Sequence, residues 1–175
     1  EAPITNWQVT DPDDLATGNV VVLTMNVSGT YYAAANNNGT SSAPAASAVT
    51  VIGDKLSLDP AATIKWKVTV SESGYQFNVA ETSNYLYCTN DNNGVHVGTN
   101  ESNVFTIAKG QGENTYDYLL NSATSRYLGV YNNQDWRCYT SVNANIKNGT
   151  LVIFREPASS KAAAGLAYAE ADKSN

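Results

Sequence analysis

Seven consecutive residues, Tyr131-Asn132-Asn133-Gln134-Asp135-Trp136-Arg137, put two aromatic rings, three amides, a carboxylate and a guanidinium side by side. That is the chemistry that holds sugars, with rings stacking on C–H patches while amides and charged groups read hydroxyls. Tyr131, Asn132, Asn133, Asp135, Trp136 and Arg137 are therefore the candidate ligand-binding residues. The competing reading is a β-turn with Trp136 folded onto the end of the domain. An exposed Tyr131–Trp136 pair at a cleft rim would favour a sugar ligand. Both rings packed inward would favour a structural spacer.

Other reactive residues are sparse. His96 is the single histidine, which leaves no ordinary triad and no His-rich metal site. It lies between Val95 and Val97 and should point outward, opposite to them. Asn90 to Gly94 is turn chemistry, and Asp91 alone supplies too few carboxylates for a calcium loop. Asp11-Pro12-Asp13-Asp14 reads as a turn or helix cap before it reads as a cation site. The acidic residues Glu72, Glu81, Glu101, Glu113, Asp117 and Asp135 sit in turns or polar strands. None has the apolar surroundings a general acid requires, so an enzyme is not expected. No phosphate-binding glycine loop, HExxH or CxxC motif is present, and no cofactor or metal is expected.

Composition narrows the partners. The 175 residues carry 10 Lys and Arg against 16 Asp and Glu, a net charge of −6 that disfavours nucleic acid and anionic membranes. The longest apolar run, Asn19-Val20-Val21-Val22-Leu23, is strand-sized, so no membrane insertion is expected. Low charge with eleven Tyr and three Trp describes an ordered, polar-surfaced monomer. The chain opens at Glu1 without Met, so it reads as a processed product or as a piece excised from a longer chain.

Positioning any site falls to strands. Val20–Met25, Val49–Ile52, Ile64–Val70, Tyr75–Val79 and Val104–Ile107 are rich in β-branched and aromatic residues. Tyr116–Leu120, Tyr127–Tyr131 and Leu151–Phe154 continue the series. Gly, Asn, Asp and Ser clusters separate them at spacings of roughly ten residues, as in sandwiches and barrels. Ile64, Trp66 and Val68 should face inward, with Lys65 and Lys67 outward. The body, residues 1–156, is all-β. Residues 157–175 are Ala- and Ser-rich and read as a linker, with Gly165-Leu166-Ala167-Tyr168 as the start of a following domain.

A threefold repeat organises the strands. Tyr31, Tyr85 and Tyr127 each lead a copy, with Asn36, Asn90 and Asn132 at the same offset. Asn26, Asn78 and Asn121 precede the copies as turn formers, and Trp7-Gln8-Val9, Trp66-Lys67-Val68 and Phe105-Thr106-Ile107 stand further upstream. Three copies with room for four strands each predict a β-trefoil; a β-sandwich is the alternative. Thr40–Ala46 stretches the first copy, Gly53–Ala62 connects two copies, and Leu151–Phe154 closes the fold beside Trp7. Cys88 aligns with Ala34 and Val130, and Cys138 with Val97, so both cysteines read as interior. An oxidising compartment would permit a disulfide between them, though free thiols are the expectation.

Tyr31 to Pro44 (YYAAANNNGTSSAP), Tyr85 to Asn100 (YLYCTNDNNGVHVGTN) and Arg126 to Ser141 (RYLGVYNNQDWRCYTS) resemble modules of large exported proteins of gut Bacteroidetes. The resemblance covers most of residues 4–156. It implies an exported location, periplasmic, extracellular or on the cell surface, and a non-catalytic module of adhesion type. It supplies no binding residues. Gln134-Asp135-Trp136 also matches the QxW of ricin-type lectins, but only once and in a turn, so nothing is built on it. Together these readings predict a recognition module for a glycan or surface polymer. The alternative is a spacer or cell-adhesion module with a protein partner and no small ligand.

Overall fold

A computed structural model describes residues 6–109 and 116–158. The expectations for Glu113 and for the 159–175 tail, including Gly165 to Tyr168, lie outside the described residues. Fifteen strands carry the fold, and no α-helix occurs among the described residues. They are β1 (Gln8–Thr10), β2 (Val20–Val27), β3 (Thr30–Ala34), β4 (Ala46–Val49), β5 (Val51–Ile52), β6 (Lys55–Leu56), β7 (Trp66–Ser71) and β8 (Gly74–Asn78). There follow β9 (Tyr85–Cys88), β10 (Val95–Gly98), β11 (Phe105–Lys109), β12 (Asp117–Asn121), β13 (Arg126–Tyr131), β14 (Asp135–Tyr139) and β15 (Gly149–Arg155). Two 3-10 turns, Pro12–Asp14 and Ala62–Ile64, interrupt the series.

Every pairing is antiparallel. β15, β2, β7, β8, β11 and β12 follow one another as neighbours, and β12 comes back against β15. Three hairpins extend from this open sheet: β3–β4, β9–β10 and β13–β14. Their registers repeat. Tyr32 faces Ala48 and Ala34 faces Ala46; Leu86 faces Val97 and Cys88 faces Val95; Leu128 faces Cys138 and Val130 faces Trp136. Those are the positions the tyrosine-led copies align.

The same periodicity governs the corners before the hairpins. Asn26 Oδ1 accepts from the Gly29 amide at 2.9 Å, and Asn121 Oδ1 accepts from the Thr124 amide at 3.0 Å. Asn78 holds its corner differently, donating from Nδ2 to the Thr82 and Asn84 carbonyls. A short polar side chain that can bond its own backbone satisfies the groups a turn leaves open. The hairpins are also joined to one another. Val97 N donates to Gly39 O, Cys138 N to Asn92 O, and Ala46 N to Gln134 O, at 3.0–3.1 Å.

Alternation places the core. Ile64, Trp66 and Val68 are buried while Lys67 is exposed. Trp66, Phe77, Phe105, Leu86, Leu119 and Leu128 belong to one buried cluster. A smaller cluster gathers Trp7, Val22, Ala33, Leu56, Ile64 and Phe154 on the other side of β2.

Several expectations need correction. Ile64 lies in a 3-10 turn, and the predicted strand Val49–Ile52 is split between β4 and β5. Gly53–Ala62 is no plain connector, since it contains β6, paired with β5. Leu151–Phe154, by contrast, does lie beside the segment that follows Trp7, as expected: β15 pairs with β1, and along all seven of its residues with β2.

The turn from β7 to β8 depends on Gly74, whose φ of +135° is rarely adopted by other residues. A Cβ there would stand 2.3 Å from the Phe105 carbonyl oxygen, part of the backbone of β11. Gly74→Ala should therefore cost about 1–3 kcal/mol by overpacking, read as a lower urea midpoint at unchanged slope.

Candidate functional site

The β13–β14 hairpin turns through Asn132 and Asn133, both left-handed at φ +51° and +58°, with Gln134 N donating to Tyr131 O at 2.9 Å. Asparagine tolerates that conformation better than other side-chain-bearing residues, and two in succession match the twist of paired strands. Both amides consequently project from the tip, exposed.

Beyond the tip, alternation along β14 sends the predicted site residues to opposite faces. Asp135 and Arg137 point out, half-buried. Trp136 points in, at 1% exposure, and its Nε1 has no hydrogen-bond partner among the described residues. The expectation that Trp136 offers a stacking face is thus corrected: the ring is part of the core. Arg137 Nε lies 2.8 Å from Asp135 Oδ1, and the guanidinium sits 4.2 Å over the Tyr131 ring. The carboxylate raises the Arg137 pKa further, and together the three side chains satisfy one another.

Tyr131, Asn132 and Asn133 do meet in one place. They line an open cleft of about 440 Å³, with Asn145 and Asn148 opposite and Val130 and Ile146 among its apolar lining. Asp135, Trp136 and Arg137 do not line it, and none of its lining side chains is charged.

The opposite wall, residues 144–149, is fixed by its own polar bonds. Asn143 Oδ1 accepts from Asn145 N at 2.9 Å, and Asn143 O accepts from the amides of Ile146 and Lys147. Tyr118, fully buried, donates its hydroxyl to Ile146 O at 2.7 Å. Burial pushes the Tyr118 pKa well above its usual value, so this donor stays protonated. Gly129 provides the last element, since a Cβ there would fall 2.5 Å from Ile146 Cβ. The absent side chain lets Ile146 close onto β13 and brings Asn145 and Asn148 to the cleft.

Asn145 and Asn148 were not among the candidates read from sequence. Their signal was the run Asn143-Ala144-Asn145-Ile146-Lys147-Asn148, amide-rich like the hairpin tip it faces. The remaining candidates are tied into the fold. Asp11 accepts from Asp13 N and caps the first 3-10 turn. Asp91 accepts from Asn93 N within the Asn90–Gly94 turn, and Arg126 clamps that turn through Asn92 Oδ1 and Asn90 O. Asp117 pairs with Lys109 at 2.9 Å. His96 leaves the barrel face as expected, but it is half-buried, edge-on to Tyr87, with Nδ1 2.8 Å from Ser42 O. It ties the second hairpin to the Thr40–Ala46 loop.

No protein-family model matches the chain, and no curated protein matches it. Among solved structures it is similar to SeviL bound to asialo-GM1 saccharide, at 16% identity and TM-score 0.48, covering 77% of this chain and 97% of that one. A salivary protein from Culex quiquefasciatus, of the Cysteine and Tryptophan-Rich family, is 16% identical at TM-score 0.48 over 79% and 95%. The SDF2-like protein from Arabidopsis thaliana is 14% identical at TM-score 0.49 over 79% and 93%. No described helix is long and apolar enough to cross a membrane.

Proposed function

We propose that the chain is a non-catalytic module that recognises a neutral glycan, built as a β-trefoil and exported as part of a multidomain protein. The trefoil reading is supported by the three hairpins of matched register and by the approach of β12 to β15 at the far side of the sheet. The exported setting is supported by the resemblance of the tyrosine-led copies.

The glycan reading is carried by one observation: the cleft between Asn132–Asn133 and Asn145–Asn148 is amide-lined, open and without charge. An amide donates and accepts at once, which suits the paired hydroxyls of a sugar. A lining without ionic groups offers nothing to hold a phosphate or carboxylate. Each such bond adds only about 0.5–1.5 kcal/mol net, so affinity at a single site belongs in the micromolar-to-millimolar range. Tyr131 is the aromatic surface left at the cleft, with one side already under Arg137.

An Asn145→Ala/Asn148→Ala double variant tests the assignment against a broad array of neutral polysaccharides. The expected result is a loss of binding of about tenfold or more, at an unfolding temperature close to that of the parent. Undiminished binding would move the site elsewhere. Absence of binding by the folded parent would overturn the glycan reading. A second reading, a monomeric spacer or adhesion module, is favoured by the burial of Trp136, which removes the strongest stacking surface.

A further inference from the structure

The glycan reading leaves both cysteines unused, and the fold places them together. Cys88 ends β9 and Cys138 lies in β14, so they belong to different hairpins. Both are free and buried, at 1% and 0% exposure. Cys138 Sγ lies 3.1 Å from the Asp91 carbonyl and 3.8 Å from that of Thr89, and its backbone amide donates to Asn92 O. The strand end at Cys88 and the turn that follows it thus wrap the Cys138 thiol. Thr89, whose carbonyl the Cys138 sulfur approaches, is the residue next to Cys88, and both cysteines belong to one buried cluster.

We propose that Cys88 and Cys138 are a cross-link site, joined under oxidising conditions by a disulfide that staples the second hairpin to the third. The Cys138 amide, donating to Asn92 O, holds β14 against the turn that leaves Cys88.

With oxidised glutathione as the oxidant, one of the two cysteine thiolates displaces one glutathione thiolate and forms a mixed disulfide. The other cysteine then gives up its proton, attacks the protein sulfur of that mixed disulfide and releases the second glutathione. Two protein thiols lose two electrons and two protons, and one glutathione disulfide becomes two thiols. Since the folded domain covers both sulfurs, this exchange belongs to folding, before the hairpins close.

The test is to unfold the reduced protein and refold it in a glutathione redox buffer. Thiols are then counted after acid quenching and denaturation, and thermal unfolding is followed with and without a phosphine reductant. The expected product has no titratable thiol and a mass lower by two hydrogens. On reduction its unfolding temperature should fall by roughly 5–15 °C, from the long loop the bond closes. Cys88→Ala and Cys138→Ala should each abolish the dependence on reductant. Should either variant fail to fold, the parent compared in the two redox states still decides. Two free thiols after oxidative refolding, a lone glutathione adduct, or a bond that leaves the unfolding temperature unchanged or lowered would each overturn the proposal. The result does not depend on whether the cleft binds a sugar.

Discussion

Trp136→Ala should lower the stability of the domain by about 3–5 kcal/mol, and any loss of ligand binding would follow from that. The ring is 1% exposed and belongs to the main core with Val130, its cross-strand partner, and Leu128. At the equivalent positions of the other hairpins stand Ala46 and Val95. The third repeat thus supplies a volume the other two do not, and alanine would leave a cavity that β14 cannot collapse to fill. Equilibrium denaturation in urea measures the effect, and Trp136→Phe should retain most of the lost midpoint. An unchanged midpoint in Trp136→Ala would show that the ring does not pack as described. Ligand binding should therefore be probed at Asn145 and Asn148, whose side chains the core does not use.

Leu86→Ala and Leu128→Ala should each remove about 2–5 kcal/mol. The two leucines occupy one position of the repeat, facing Val97 and Cys138 across their hairpins, and both are buried in the same cluster. Tyr32 is the first repeat's counterpart, half-buried against that cluster. Midpoints in urea at constant slope check the expectation. If either leucine proved silent, the register that relates the three hairpins would be wrong.

The repeat was legible because its signals are local. A tyrosine, an alternating strand and an asparagine at a fixed offset describe one hairpin, and three copies in order describe the cap. The place of Leu151–Phe154 beside the Trp7 segment was legible from the need to cover an edge, whereas its longer pairing with β2, distant in sequence, left no local signal. Trp136 was misassigned although alternation with Cys138 already placed it inward, because a tryptophan beside Asp135 and Arg137 suggested binding chemistry. The far wall of the cleft escaped for a different reason. Asn145 and Asn148 reach it through Ile146 seated on Gly129 and bonded to Tyr118, and neither contact leaves a periodic trace in the chain.

The pairing of β1 with β15 also has a mechanical consequence. Gln8 lies opposite Arg155, and Thr10 opposite Ile153, so the two chain ends of the described fold leave from the same end of one antiparallel ladder. A pull applied through those ends loads the ladder in peeling geometry, where rungs break one after another. In shear they would have to break together. With each rung contributing about 1 kcal/mol net, β1 should detach from β15 at low force. Such a domain yields at its edge under tension, and its hairpins, carrying the cleft and the two cysteines, lie outside the line of load.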